Sequence, residues 1–207
     1  MIRAMGIDAS SSCTGICIFD GLDLIHYDKI KPSNKTIGFR EKSCEVIEQI
    51  IPIVEKYKPN IIYMEDVPTF ARKGGLGKNI LAPLIALGAV QGIFYLELQY
   101  KLGYKIEFLD LTAWRQGLGF PVGGAKGSDR DNQKDRAIRF ANENFGLDLY
   151  YQFGKKSVKD DDDQAEAICL CWSKINGYYD IALEERKEKQ ALEEIKKKNK
   201  KQLSRNK

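Results

Sequence analysis

Short apolar runs and longer segments with helical periodicity alternate along this chain of 207 residues. Near the start, two apolar runs flank a small polar stretch, and an Asp20-Gly21 turn leads into a third run. This arrangement predicts three antiparallel strands connected as a meander. Two later apolar runs predict further strands, so the predicted set covers residues 2–7, 14–19, 22–30, 61–64 and 106–111.

Two helices are predicted between these strands. Residues 39–57 carry apolar side chains at helical spacing around Pro52, which is expected to kink or divide the helix. Residues 80–96 are almost wholly apolar, but Pro83 and Gln91 interrupt them, and they fall short of the ~20 apolar residues that cross a membrane. A buried helix is therefore expected there, with no membrane association.

Three further helices are predicted in the second half of the chain. Thr112 is expected to cap a short helix, another begins at Ser128, and a third begins inside the four aspartates at 160–163. This order of elements is typical of an α/β domain with a mixed five-stranded sheet, an antiparallel meander plus parallel strands, and helices on both faces. The domain is expected to occupy residues 1–177, before a charged, Lys-rich tail over 178–207 that is helical or disordered.

The net charge of +4 is concentrated at one end of the chain. Residues 184–207 carry ten Lys or Arg and five Asp or Glu, whereas residues 1–183 carry 23 basic and 24 acidic residues. A near-neutral domain with a basic tail permits a polyanionic partner without requiring one. The five cysteines form no paired motif and accompany a single histidine, which disfavours a disulfide framework or a zinc site and favours an intracellular setting. No signal peptide is predicted.

Acidic side chains stand at the ends of predicted strands and at the start of a predicted helix. Asp8 follows the first strand and Glu65 the fourth, so the two meet if these strands are neighbours. Asp163 and Glu166 are three residues apart and share one face of a helix. Four carboxylates would then converge, although each one alone could be a turn residue, a solvated side chain or part of a helix N-terminus.

A cluster of four carboxylates is unfavourable by itself, because like charges raise one another's pKa, and it becomes favourable when divalent cations lie between them. Oxygen ligands favour Mg²⁺, with Mn²⁺ as a substitute, over zinc. Two such ions ~3.5 to 4 Å apart can activate water and stabilise the leaving oxygen of a phosphodiester without a Ser, Cys or His nucleophile. The acidic residues therefore favour a metal-dependent nuclease with two ions per active site.

Three segments carry a family resemblance: GIDASSSCTG at 6–15, IIYMEDV at 61–67 and DDQAEAICLCW at 162–172. In order and spacing they resemble the three acidic motifs of the RuvC-type Holliday junction resolvases, a branch of the RNase H-like nucleases. The versions found in bacteriophages are the most similar, which would place the protein in the cytoplasm of a host cell. The resemblance implies an RNase H-like fold and a homodimeric, Mg²⁺-dependent endonuclease of recombination and repair, which nicks opposing strands of four-way junctions. Whether other branched DNA is also a substrate stays open.

The same resemblance implies that the four carboxylates are the catalytic residues and the metal ligands. These are Asp8, Glu65, Asp163 and Glu166, with Asp8 bridging the two ions. Glu166 replaces an aspartate that is frequent in the family, and the run of four aspartates leaves Asp162 as the alternative to Asp163. No partner helicase is specified by the resemblance.

Basic and aromatic residues near these motifs are candidates for DNA contact. In the family an aromatic residue after the second motif wedges into the junction, and Phe70 is its counterpart here, with a buried loop anchor as an equal alternative. Lys134 resembles a family lysine near the scissile phosphate, with a solvated helix face as the alternative. The candidate DNA-binding set is Phe70, Arg72, Lys73, Lys78, Lys126, Arg130, Lys134, Lys155 and Lys156.

Two features leave other interpretations open. The apolar helix contains Gly88 and Gly92, whose spacing permits close approach either to its own sheet or to a second copy across a two-fold axis. The first motif also resembles the first phosphate loop of actin-like sugar kinases, which would make the chain a fragment of an ATP-dependent phosphotransferase. A protein that binds branched DNA with an inactive acidic site is a further alternative.

Overall fold

The computed structural model describes residues 2–33, 38–67, 78–120, 127–152 and 160–205. One mixed sheet has the strand order β3-β2-β1-β4-β5, in which β1, β2 and β3 are antiparallel and β4 and β5 run parallel to β1. The predicted mixed five-stranded α/β sheet is therefore confirmed. The strands are β1 (Arg3–Asp8), β2 (Thr14–Asp20), β3 (Asp23–Ile30), β4 (Ile61–Glu65) and β5 (Ile106–Leu109).

Helices cover both faces of the sheet. The first two pack against one face, and the last four form the layer on the other face. A seven-residue π-helix extends the second helix at its C-terminal end. The helices are α1 (Phe39–Tyr57), α2 (Lys78–Phe94), the π-helix (Tyr95–Lys101), α3 (Leu111–Gly117), α4 (Gly127–Phe145), α5 (Asp162–Ile175) and α6 (Tyr178–Arg205).

Division of α1 at Pro52 and Thr112 as the cap of α3 are wrong predictions, whereas a kink at Pro52 stays a prediction. Pro52 does not divide α1, which is continuous from Phe39 to Tyr57, because Pro52 lies on the exposed side while Ile50 and Val54 pack on the sheet. Thr112 does not cap α3. Strand β5 ends at Leu109, and the carboxylate of Asp110 accepts a hydrogen bond from the Ala113 amide at 2.9 Å, so the cap lies two residues earlier.

The apolar helix, predicted to be buried, is buried on one face only. One face of α2 and the π-helix packs on the sheet through Val90, Phe94 and Leu98. Hydrophobic side chains on the other side are exposed, among them Ile85 and Tyr100, which is 80% exposed. The sheet can cover only the side of the helix that packs on it. A helix that is apolar on all sides therefore keeps part of its hydrophobic surface exposed.

Helix α5 lies directly on the backbone of β1 and β2, and two glycines make this approach possible. A Cβ at Gly15 would overlap the carbonyl of Asp163, and a Cβ at Gly6 would lie 2.5 Å from the Ala167 carbonyl oxygen. Neither position therefore has room for a larger residue. The N-terminal turns of α5 are in this way held against the ends of the two strands.

Helix α6 combines a packed start with an exposed continuation. Gly177 has a φ of +77° and separates α5 from α6, and Tyr179 and Ala182 are buried, with α6 packed against α3. The described side chains beyond the middle of α6 are exposed and strongly charged. The helical form of the tail is thus the one observed, while the domain boundary at residue 177 stays a prediction. No helix in the described part of the chain is both long and apolar enough to span a membrane.

Candidate active site

The parallel pairing of β1 and β4 brings two of the predicted site residues together. Ile7 pairs with Met64, and each of these residues is followed by an acid, Asp8 on β1 and Glu65 on β4. Side chains alternate along a strand, so both acids lie on the face opposite to that of Ile7 and Met64. That face is the one covered by α5.

All four predicted carboxylates interact electrostatically at this end of the sheet. The pKa of Asp8 is raised well above its usual value, first by burial and then by the charges of Glu166, Glu65 and Asp163. Each of these acids comes from a different motif or a different turn of α5, so tertiary folding has gathered them. Their role as metal ligands and catalytic residues remains a prediction.

Glu65 is held at both its backbone and its side chain. The amide of Gln91 on α2 donates to the Glu65 carbonyl oxygen at 2.6 Å, and the indole Nε1 of Trp114 donates to Glu65 Oε2 at 3.3 Å. Burial raises the pKa of Glu65 to about 7, against the lowering effect of the Arg115 charge. The carboxylate therefore has a fixed position and an unusually high proton affinity.

Lysines from two other elements bind the acids that precede Asp163. Lys29 of β3 forms an ion pair with Asp161, and Lys134 of α4 forms one with Asp162, which is 5% exposed. Asp163 instead hydrogen-bonds the thiol of Cys13 and contributes to the raised pKa of Asp8. The geometry thus favours Asp163 over Asp162 as the member of the carboxylate cluster.

Two neighbouring residues of α3 complete the site, and sequence reasoning did not assign them a role. Trp114 donates to Glu65, and Arg115 Nη2 donates to Glu166 Oε1 at 2.6 Å. A signal for them was present in the sequence, because α3 begins just after β5, and β5 runs parallel to β4. A helix that follows β5 therefore starts near the C-terminal end of β4, where Glu65 lies.

The donor set fits a divalent cation in its chemistry, since it consists of carboxylate oxygens with mutually raised proton affinity. Among the described residues, however, no three His, Cys, Asp or Glu side chains are arranged so that they could hold a metal ion as they stand. Three of these carboxylates have partners within the protein, because Glu166 binds Arg115, Glu65 binds Trp114 and Asp163 binds Cys13.

Only one candidate DNA-binding side chain is described. Lys134 lies on α4 beside the cluster, where it pairs with Asp162 and lies 5.9 Å from the centre of the Tyr151 ring. Lys78 and Arg130 belong to α2 and α4, but their side chains are outside the described residues. The other candidates, Phe70, Arg72, Lys73, Lys126, Lys155 and Lys156, also lie outside the described residues.

Comparison with known proteins identifies the fold. No family model and no curated protein sequence matches the chain. RuvC of Thermus thermophilus in complex with a Holliday junction substrate is 15% identical, with 86% of this chain and 94% of that chain covered and a TM-score of 0.56. A second structure of Thermus thermophilus RuvC is also 15% identical, with 86% and 95% covered and a TM-score of 0.53. The chain therefore has a RuvC-like fold of the RNase H-like class.

Proposed function

We propose that this protein is a metal-dependent endonuclease that cuts branched DNA, chiefly four-way junctions, by paired nicks. The observation that carries the proposal is the convergence of Asp8, Glu65, Asp163 and Glu166 at one end of the sheet. Such a cluster opposes its own formation unless cations accompany it. A purely structural role would not require four acids from three separate segments to share one partly buried site.

The four carboxylates would hold Mg²⁺, or Mn²⁺ in its place, with two ions per site. When bound, such ions activate water and stabilise the leaving oxygen of a phosphodiester. The chain's own contribution is to fix the ligands. Gln91 and Trp114 hold Glu65, while the close approach of α5 to Gly15 holds Asp163 beside Asp8.

The choice of substrate is supported by fold and sequence motifs together. One similar structure is RuvC bound to a Holliday junction, and this chain has the same fold. The three acidic motifs that resemble that family contain all four members of the carboxylate cluster. Assignment to the bacteriophage-like branch, and to the cytoplasm of a host cell, rests on the motifs alone.

A homodimer would provide the two sites that paired nicks require. The exposed hydrophobic face of α2 and the π-helix is the surface we assign to it, with Ile85, Leu96 and Tyr100 uncovered. Sedimentation at micromolar concentration is expected to give a dimer, and the change Leu96→Glu is expected to give a monomer. A wild-type monomer would contradict this assignment.

Cleavage of synthetic junctions tests the proposal. Four-way, forked and linear duplexes are incubated with the full chain, with and without Mg²⁺, and cleavage is expected only with the metal and chiefly on the four-way form. Asp8→Asn is expected to abolish cleavage while junction binding persists, because it removes a metal ligand and leaves the basic residues in place. Glu55→Gln is the matched control, since Glu55 is an exposed acid on α1, on the other side of the sheet.

The outcomes separate the alternatives. Near wild-type cleavage by Asp8→Asn would reject the site. Junction binding without cleavage in Mg²⁺ or Mn²⁺ would identify an inactive branched-DNA-binding protein. ATP-dependent phosphorylation without cleavage would identify the actin-like phosphotransferase.

A further inference from the structure

A guanidinium group is built into the carboxylate cluster. Arg115 reaches from α3 and donates through Nη2 to Glu166 Oε1 at 2.6 Å and through Nη1 to Gln133 Oε1 at 2.7 Å. Its central carbon lies 5.0 Å from the centre of the Trp114 ring. The side chains of Arg115 and Glu166 are only 16% and 13% exposed, so water screens this ion pair far less than a surface pair.

The contacts fix Arg115 in one place. The guanidinium group hydrogen-bonds Gln133 on α4 and Glu166 on α5, and so links these two helices. The Trp114 ring, on the same helix as Arg115, packs against it. The Nε atom of Arg115 is buried and has no hydrogen-bond partner among the described residues. An unpaired buried donor costs stability.

The charge of Arg115 acts on more than its direct partner. Burial raises the pKa of Asp8 and of Glu65, and the positive charge of Arg115 lowers the pKa of both carboxyl groups. Arg115 therefore offsets part of the repulsion among the acids. A divalent cation would interact with the same negative charge.

We infer that Arg115 is a positioning residue and the resident counter-ion of the site: it holds Glu166 in place and moderates the affinity of the carboxylates for a divalent cation. The inference rests on the proposed function. Its consequence is that metal binding and the guanidinium compete. Removing the charge should tighten metal binding and at the same time destabilise the metal-free fold, a combination that loss of a merely structural contact would not give.

The test measures Mn²⁺ binding to the full-length, metal-free protein without DNA, by calorimetric titration and by thermal unfolding with and without Mn²⁺. For Arg115→Gln we expect a lower unfolding temperature without metal and Mn²⁺ affinity tighter by about tenfold or more, because a unit positive charge near the ion is gone. Arg115→Lys keeps the charge but not the fork, and its affinity should stay within about threefold of the wild type.

Arg3→Gln is the matched control. Arg3 also forms an ion pair, with Asp20, and also has a buried Nε without a partner among the described residues, but it lies at the opposite end of β1 from Asp8. This change should lower the unfolding temperature and leave the Mn²⁺ affinity unchanged. Loss of stability in general is thereby separated from loss of the local charge.

Unchanged or weaker Mn²⁺ binding by Arg115→Gln would overturn the inference. If Arg115→Gln does not fold, Arg115→Lys still tests the inference. A change in Mn²⁺ affinity of about tenfold or more in this variant, which keeps the positive charge, would exclude that charge as the cause. Asp8→Asn should abolish Mn²⁺ binding by the otherwise wild-type chain. If Asp8→Asn loses Mn²⁺ binding but the Arg115 variants do not behave as expected, the inference about Arg115 fails and the proposed function stands. If the wild type binds no Mn²⁺, the inference and the proposed function both fail.

Discussion

The two faces of the sheet are built from alternate residues of the same strands, and they differ in what those residues can do. On the face toward α1 and α2, Met5, Ile7, Ile62 and Met64 are buried among apolar side chains. On the face toward α5, β1 presents Ala4 and Gly6, and β4 presents Ile61 and Tyr63, before the two strands end in carboxylates. The period of two keeps these two sets of residues apart.

The difference between the two faces shows how carboxylates that repel one another can be held at one site. The apolar face stabilises the sheet through burial of hydrophobic side chains, which does not depend on charge or metal. The other face accepts acids whose pKa values are raised by burial and by one another. Apolar packing and the carboxylate cluster therefore depend on neighbouring residues of one strand, and substitutions should separate their effects.

The largest effect is expected from Glu65→Gln. Junction cleavage should fall by about 10³-fold or more, because a proposed metal ligand is lost, while Gln can still accept the hydrogen bond from Trp114. The metal-free protein should be at least as stable as the wild type at pH 8, because a buried charge is removed. Cleavage assays and thermal unfolding give the two readouts, and cleavage near the wild-type rate would remove Glu65 from the site.

Met64→Ala is the reverse experiment at the adjacent residue on the other face. The free energy of unfolding should fall by about 2–5 kcal/mol, because a fully buried side chain is truncated. The rise in unfolding temperature that Mn²⁺ produces should persist, since no carboxylate is changed. Denaturant titration measures the first quantity; if the response to Mn²⁺ also disappears, the two faces are not separable.

The pH dependence of stability should have a definite sign. Glu65 has an ordinary pKa of 4.5, which the fold raises to about 7, so the folded state binds the proton more tightly than the unfolded state. Its contribution to stability is therefore fully present below pH 4.5 and is lost as the pH rises through about 7. Thermal unfolding without metal should show this decline in the wild type and in Met64→Ala, and a smaller decline in Glu65→Gln; an equal decline in all three would contradict the assignment.

The smallest effect is expected from the basic extension of α6, which starts on the carboxylate side of the sheet. Deletion of residues 196–207 removes seven basic and no acidic residues. Junction binding should weaken by about tenfold or less, mainly at low salt, with cleavage preserved. Binding measured over a series of salt concentrations checks this, and an unchanged salt slope would exclude the tail from DNA contact. Deletion from residue 178 would not be equivalent, because Tyr179 and Ala182 are buried.

Much of the fold could be predicted because local patterns determine it. Apolar runs and turn residues located all five strands, and the acids at the ends of β1 and β4 were identified by their position alone. Errors occurred where tertiary packing prevailed over local preference. Packing on both sides of Pro52 kept α1 continuous, and the early end of β5 moved the cap of α3 from Thr112 to Asp110.

The sequence by itself determined the strands, the acidic motifs and the charge of the tail, since each depends on residues that are close together in the chain. Only the tertiary structure distinguishes the aspartates of the run at 160–163 by their partners. It placed Lys29 and Lys134 on the two preceding aspartates and brought Arg115 to Glu166. Such pairings depend on distances between separate elements, which residue spacing within one element does not encode.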